Sequence, residues 1–228
     1  MKLYHGTAER RLPTILSLGL QPRGRRRGNW KHSILSCPDA VYLTQAYALY
    51  YAWQATDDKD KADRLAVLEI DTDKLDPALF APDEDWLEQV SRKQDGPGVA
   101  PIDKGMNYRT KWYRKRLTRF RAHWRDSLAG LGNCTYHGDI PASAITRIAF
   151  VDKQTNADLV MCAGMDPMIS LMNYKFVGGR YRAAMKRLFG ETVEEDDDFA
   201  QMFTPAQQAE RKAMLDGIWA KVEVRELA

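Results

Sequence analysis

Apolar and polar positions change rhythm several times along the chain. KLYHGT, from Lys2, alternates as a short β-strand does. RLPTILSLGL then sets Leu12, Ile15, Leu16 and Leu20 at near-helical spacing, with Gly19 as the breaker, and predicts a short helix. Pro22 to Lys31, rich in glycine and arginine, predicts a loop. AVYLT predicts a second strand, and AYALYYAWQAT a helix bearing Tyr47, Tyr50, Tyr51 and Trp53. LAVLEIDT is the clearest strand pattern. In the turn-rich stretch after it, Asp83, Glu84 and Asp85 read as a helix start with acids at the dipole-favoured end.

Residues 91 to 108, which include DGPGVAP, predict a mobile insertion. Lys111 to Leu131 predicts one basic helix that stops at Gly130 and Gly132. NCTYHGDI and ITRIAFVD predict two further strands joined by IPASA. Beyond about residue 164 the pattern turns helical. SLMNYKFVGGRYRAAMKRLFG is interrupted at Gly178 and Gly179, and TPAQQAERKAMLDGIWAKVEV has Thr204 placed as N-cap with Pro205 first in the helix. These elements predict an α+β core over residues 1–163 and a helical C-terminal extension over 164–228.

A length of 228 residues suits one large domain, or one with a helical appendage. Residues 1 to 20 hold no uninterrupted apolar stretch of the signal-peptide kind, and no run approaches about 18 apolar residues. A cytoplasmic protein without a membrane span is the expectation. Cys37, Cys134 and Cys162 form no CxxC pair and read as free thiols, small buried hydrophobes in a reducing compartment. The net charge of +3 is modest, but eight cations and no acid fall between Arg109 and Arg125, interleaved with Trp112, Tyr113, Phe120 and Trp124. GRRRGNWK adds four more cations, whereas EEDDD, from Glu194, is acidic. Clustered cations beside aromatics suit a polyanion, with Arg114, Lys115, Arg116 and Arg119 as nucleic-acid-binding candidates. A solvated cationic helix is the plain alternative. GxGxxG, GxxxxGK[ST] and HExxH are all missing, and His123 and His137 do not stand in zinc-ligand spacing with Cys134 and Cys162; no metal is expected.

LYHGT with ILSLGL, then VYLTQAYALYYA, then LEIDTDKLDPALFAPDED, and late YHGDIPASAI follow one another over roughly residues 1 to 152. In that order and spacing they resemble the ADP-ribosyltransferase superfamily. The resemblance implies a split β-sheet core and a mono-ADP-ribosyltransferase. Such an enzyme uses NAD as co-substrate, cleaves its nicotinamide–ribose bond and transfers ADP-ribose to a macromolecule, with nucleic acid favoured over protein as acceptor. It also implies roles. His5 bonds a ribose hydroxyl, the Gly6 backbone receives the nicotinamide amide, and the Tyr42 ring stacks on nicotinamide. Thr7 and Thr44 are neighbouring hydrogen-bonding groups, and Arg23, with Arg25, Arg26 and Arg27, lies where a loop meets the pyrophosphate. A toxin-like setting would add an antitoxin or other protein partner.

The family's third element is a glutamate, about seven residues before an Ile-Pro pair. Counting back from Ile140-Pro141 reaches Asn133, which bonds a hydroxyl but carries no negative charge. Asp139 is the nearest acid, with Glu69, Asp83, Glu84 and Asp85 further off; His137, or Asn133 as an orienting group, is the other route. The tRNA 2′-phosphotransferases share the fold and lack the glutamate, but carry arginine where this chain has Tyr4. Two non-enzymatic alternatives stand beside transfer: a catalytically silent NAD- or ADP-ribose-binding module, and a basic nucleic-acid-binding protein without NAD chemistry.

Overall fold

The computed structural model describes residues 1–24, 35–57, 59–60, 62–165, 167–193 and 203–227, with the backbone alone at 167–172. Arg25, Arg26, Arg27 and the acidic run from Glu194 lie outside the described residues. In chain order the elements are β1 (Lys2–Ala8), α1 (Leu12–Leu18), β2 (Val41–Thr44), α2 (Ala48–Ala55), β3 (Leu65–Asp71), β4 (Phe80–Pro82) and α3 (Glu84–Gln89). Then come α4 (Gly105–Phe120), α5 (Trp124–Leu131), β5 (Asn133–Tyr136), β6 (Ile145–Val151), α6 (Lys153–Cys162), α7 (Pro167–Leu188), α8 (Pro205–Trp219) and β7 (Glu223–Glu226). They divide between two compact units. One comprises Met1, Pro13–Thr44 and Asp71–Ala144; the other comprises Lys2–Leu12, Gln45–Ile70 and Ile145–Ala228.

In the first unit the strands run β4-β5-β2. Both pairings are antiparallel, with Tyr42 opposite Thr135 and Thr44 opposite Asn133. Trp86, Leu87 and Val90 of α3 and its end pack with Tyr113, Leu117 and Phe120 of α4. Those α4 positions recur at helical spacing, so the opposite face of α4 is left to its cations. Ala100 is buried in the same cluster, and Ser91 to Gly96 is built from hydrogen-bonded turns. The basic stretch is not one helix: a tighter turn at Arg121–His123 separates α4 from α5. The break serves two different neighbours. Phe120 joins the Trp86 cluster, whereas Trp124 stacks on Phe80 at 4.4 Å.

In the second unit the strands run β1-β3-β6-β7. β3 is buried through Ile70, and its buried acid, Glu69, is matched across the ladder. Glu69 lies opposite Arg147 and accepts its guanidinium bond at 2.5 Å and the Thr146 hydroxyl at 2.6 Å. α2 packs on the Tyr4, Gly6, Ala8 face of β1. A Cβ at Gly6 would lie 1.9 Å from the Ala48 carbonyl oxygen, so only glycine lets strand and helix backbones meet. α7 runs through Gly178 and Gly179 rather than stopping there; the Tyr174 ring fills the space a Cβ at Gly178 would need. Its irregular point is Asn173. Thr204 caps α8 through a capping box with Gln207, as its sequence predicts.

The C-terminal segment is not purely helical. α8 ends at Trp219, and Glu223–Glu226 pairs antiparallel with β6. The alternation in VEVRE suits an edge strand, where charged side chains facing solvent deter pairing with other chains. The mixed α/β class agrees with the α+β core expected from the sequence, and the pairings β2–β5, β4–β5, β3–β6 and β6–β7 are antiparallel.

Candidate active site

β2 and β5 bring three of the expected residues, Tyr42, Thr44 and Asn133, onto one face together with Thr135. Tyr42 and Thr44 alternate along β2, and their partners Thr135 and Asn133 share that face. Thr44, Asn133 and Thr135 are buried, while Tyr42 is half-buried. The Thr44 hydroxyl donates to the Gly132 carbonyl at 2.8 Å. Ser127 of α5 donates to the Asn133 carbonyl at 2.8 Å and accepts from the Asp83 N–H at 3.0 Å. Asn133 therefore sits at the joint of β5, α5 and the start of α3.

The acid standing against Tyr42 is Glu84. The Tyr42 hydroxyl donates to Glu84 Oε2 at 2.7 Å and accepts from the Cys37 N–H at 2.5 Å. Glu84 is only 2 % exposed, and Arg114 reaches its Oε1 at 3.6 Å. Burial raises the Glu84 pKa, against the lowering pull of the Tyr42 bond and the Arg114 charge. Asp83, the α3 N-cap, is raised further by burial and by the neighbouring Asp85 and Glu84 charges. Burial, then those same carboxylates, holds the Tyr42 phenol well above its ordinary value, so it stays a neutral donor. Two acids whose protons are held toward neutrality, one of them bonded to a phenol, are suited to proton transfer.

The segment at Leu35–Cys37 is fastened to this cluster. Arg114 donates to the Leu35 and Ser36 carbonyls at 2.6 and 2.7 Å, and Arg23 donates to the Ser36 carbonyl at 2.7 Å. The Leu35 N–H donates to the Thr110 hydroxyl at 3.1 Å. Arg114 is thus built into the cluster rather than left for docking. Arg116 is similarly engaged: it lies over the Trp112 ring at 3.2 Å and donates to the Pro97 and Trp112 carbonyls. Lys115 and Arg119, with Lys111, remain on the exposed face of α4.

Among the other expected residues, His137 is half-buried, with Nε2 3.3 Å from the Thr135 hydroxyl, and burial lowers its pKa. Asp139 is exposed and Glu69 is committed to Arg147. His5 is half-buried on β1, and Thr7 is buried there. The glycine requirement at position 6 has a cause in the packing of α2. Cys37 and Ser127 carry part of the cluster and had no sequence signal; Glu84 had one, an acid set within the apolar flanks of LFAPDEDWL. Among the described residues no group of three or more His, Cys, Asp or Glu is placed to hold a metal, and no helix is long and apolar enough to cross a membrane. Comparison with protein-family models, curated proteins and solved structures returns no match.

Proposed function

We propose that the chain is an ADP-ribosyltransferase that consumes NAD at a site around Tyr42, on an ADP-ribosyltransferase-like core. The observation carrying this reading is the Tyr42–Glu84 hydrogen bond. It fixes an aromatic ring and supplies, beside that ring, the carboxylate that Asn133 cannot provide. The Tyr42 ring stacks on nicotinamide, and Asn133 bonds a ribose hydroxyl. The C1′–nitrogen bond breaks with its electron pair leaving on nicotinamide, while Glu84 offsets the positive charge that develops on the sugar. An acceptor oxygen or nitrogen then bonds C1′ and loses its proton to a cluster carboxylate. Lys111, Lys115 and Arg119 favour a nucleic-acid acceptor.

Incubation with NAD labelled on its adenylate portion, together with DNA, RNA and protein acceptors, tests this reading. Label passes to nucleic acid with the natural chain and is lost with Glu84→Gln and Tyr42→Ala. Label on no acceptor, with NAD intact, refutes it. The burial of Glu84 gives the silent-module reading its own support; ADP-ribose bound in calorimetry without nicotinamide release would select that reading.

A further inference from the structure

α7 gives only one side to the core of the second unit. Tyr174, Tyr181, Met185 and Leu188 are buried there, which turns Lys175, Phe176, Gly179, Arg182 and Lys186 outward, all of them exposed. Positions 175, 179, 182 and 186 recur at helical spacing and form one stripe, with Phe176 beside its start. The helix carries five cations and no acid. Two of the cations are held locally: Arg187 donates to the Val193 carbonyl at 3.5 Å, and Arg180 is half-buried beside Gly164. Among the described residues neither Lys175 nor Lys186 forms an ion pair. Glu191, the first acid after the helix, is turned to Arg147 at 3.3 Å.

Two features set this face apart from a merely solvated one. Phe176 is 87 % exposed in the midst of the cations. Gly179 is the other, because glycine inside a helix is less favourable than alanine. Gly178 has a packing reason, since the Tyr174 ring lies 2.8 Å from where its Cβ would stand. Gly179 has none: the nearest described atom to a Cβ there is Arg182 Nη2, at 3.9 Å. The bare backbone at Gly179 therefore leaves a gap on the stripe between Lys175 and Arg182. Arg182 is steadied beside it by donating to the Tyr174 hydroxyl at 3.3 Å.

Cations spread over about 16 Å of helix axis call for repeated negative charge, and a bare ring calls for a flat π-face to stack on. One nucleic-acid strand supplies both, whereas a duplex keeps its bases stacked on each other. A membrane surface needs a broad apolar helix face, and that of α7 is spent on the core. We infer that this face of α7 is a docking surface for single-stranded nucleic acid. Phosphates lie on Lys175, Arg182 and Lys186, the backbone at Gly179 allows close approach, and a base stacks on Phe176. None of these residues belongs to the Tyr42 cluster or to α4, and the inference does not depend on NAD turnover.

The test titrates the full chain, without NAD, into a fluorescein-labelled oligothymidylate of about 15 nucleotides, followed by anisotropy over a range of salt. The same strand annealed to oligodeoxyadenylate is titrated beside it. Joint replacement of Lys175, Arg182 and Lys186 by glutamine lowers the log–log salt slope by about 0.7 for each lost phosphate contact, about 2 in all. Phe176→Ala weakens single-strand binding by about fivefold or more, leaves the salt slope alone and does not alter duplex binding. Gly179→Leu weakens single-strand binding while its melting temperature holds or rises, since no packing needs that glycine. An unchanged slope in the triple variant overturns the inference. So does single-strand binding indifferent to both Phe176→Ala and Gly179→Leu. Binding to phosphatidylserine vesicles but not to the oligothymidylate assigns the face to a membrane and likewise overturns it.

Discussion

Replacing Tyr42 with phenylalanine keeps the ring and removes one oxygen. That oxygen donates to Glu84 Oε2 at 2.7 Å and accepts from the Cys37 N–H at 2.5 Å. A hydrogen bond to a charged group contributes about 1.5–3 kcal/mol, and one between neutral groups about 0.5–1.5 kcal/mol. The Glu84 pKa is already raised by burial, and the Tyr42 bond is the largest influence holding it down. Without the hydroxyl it rises further. A carboxyl with a raised native pKa favours the folded state most at low pH, where both states are protonated. That contribution is lost as pH climbs through the native pKa and the buried charge must form. Tyr42→Phe should therefore cost more at high pH than at low. The Glu84 bond accounts for about 1.5–3 kcal/mol at pH 8.5 and about 0.5–1.5 kcal/mol at pH 4. The stranded Cys37 N–H adds about 1 kcal/mol at both. Urea unfolding followed by tryptophan fluorescence reads the difference between the two chains at each pH, so titrations they share cancel. Equal losses at the two pH values, or a loss below about 0.5 kcal/mol at pH 8.5, would show that Glu84 does not bear a charge stabilised by this phenol.

Other outcomes follow from the same geometry. Gly6→Ala puts a Cβ 1.9 Å from the Ala48 carbonyl oxygen, backbone against backbone. Overpacking of this kind costs about 1–3 kcal/mol, and thermal denaturation should show a midpoint lowered by at least about 2 °C. The His137 pKa is lowered by burial, so its neutral ring contributes stability that is present above about pH 6.5 and lost as pH falls through the native pKa. His137→Gln should flatten the acid-side decline in melting temperature; an unchanged slope would remove this histidine from the cause. Joint replacement of Lys111, Lys115 and Arg119 by glutamine should reduce the salt dependence of DNA binding by about 0.9 in log–log slope for each lost phosphate contact. Arg114→Gln should instead lower the unfolding midpoint and leave that slope alone, because its guanidinium is spent on Leu35, Ser36 and Glu84.

Strong periodic segments were legible in the sequence. LAVLEIDT, ITRIAFVD, AYALYYAWQAT and the capped start of α8 announce themselves through local pattern, since burial and capping act over a few residues. Elements fixed by distant partners were not. β4 has three residues and exists because β5 lies beside it, and β7 reads as a helix end until β6 pairs with it. The break between α4 and α5 follows from Phe120 and Trp124 having different neighbours, which helix propensity does not encode. The candidate site divides in the same way. Tyr42, Thr44 and Asn133 were legible only through the resemblance to the ADP-ribosyltransferase superfamily, not through local pattern. Glu84 stood among remoter acids, since only the fold carries a residue 42 positions away to the Tyr42 hydroxyl. Arg114 and Arg116 looked like docking cations because sequence reports charge but not what a guanidinium touches.

The most direct test of NAD consumption is the amount of free nicotinamide released by the purified chain, quantified by chromatography with single-stranded DNA present. Release in molar excess over protein, abolished by Glu84→Gln and by Tyr42→Ala in chains that circular dichroism shows still folded at the assay temperature, is the expected result. NAD recovered intact, or release that persists undiminished in both variants, would contradict a transferase centred on Tyr42 and Glu84.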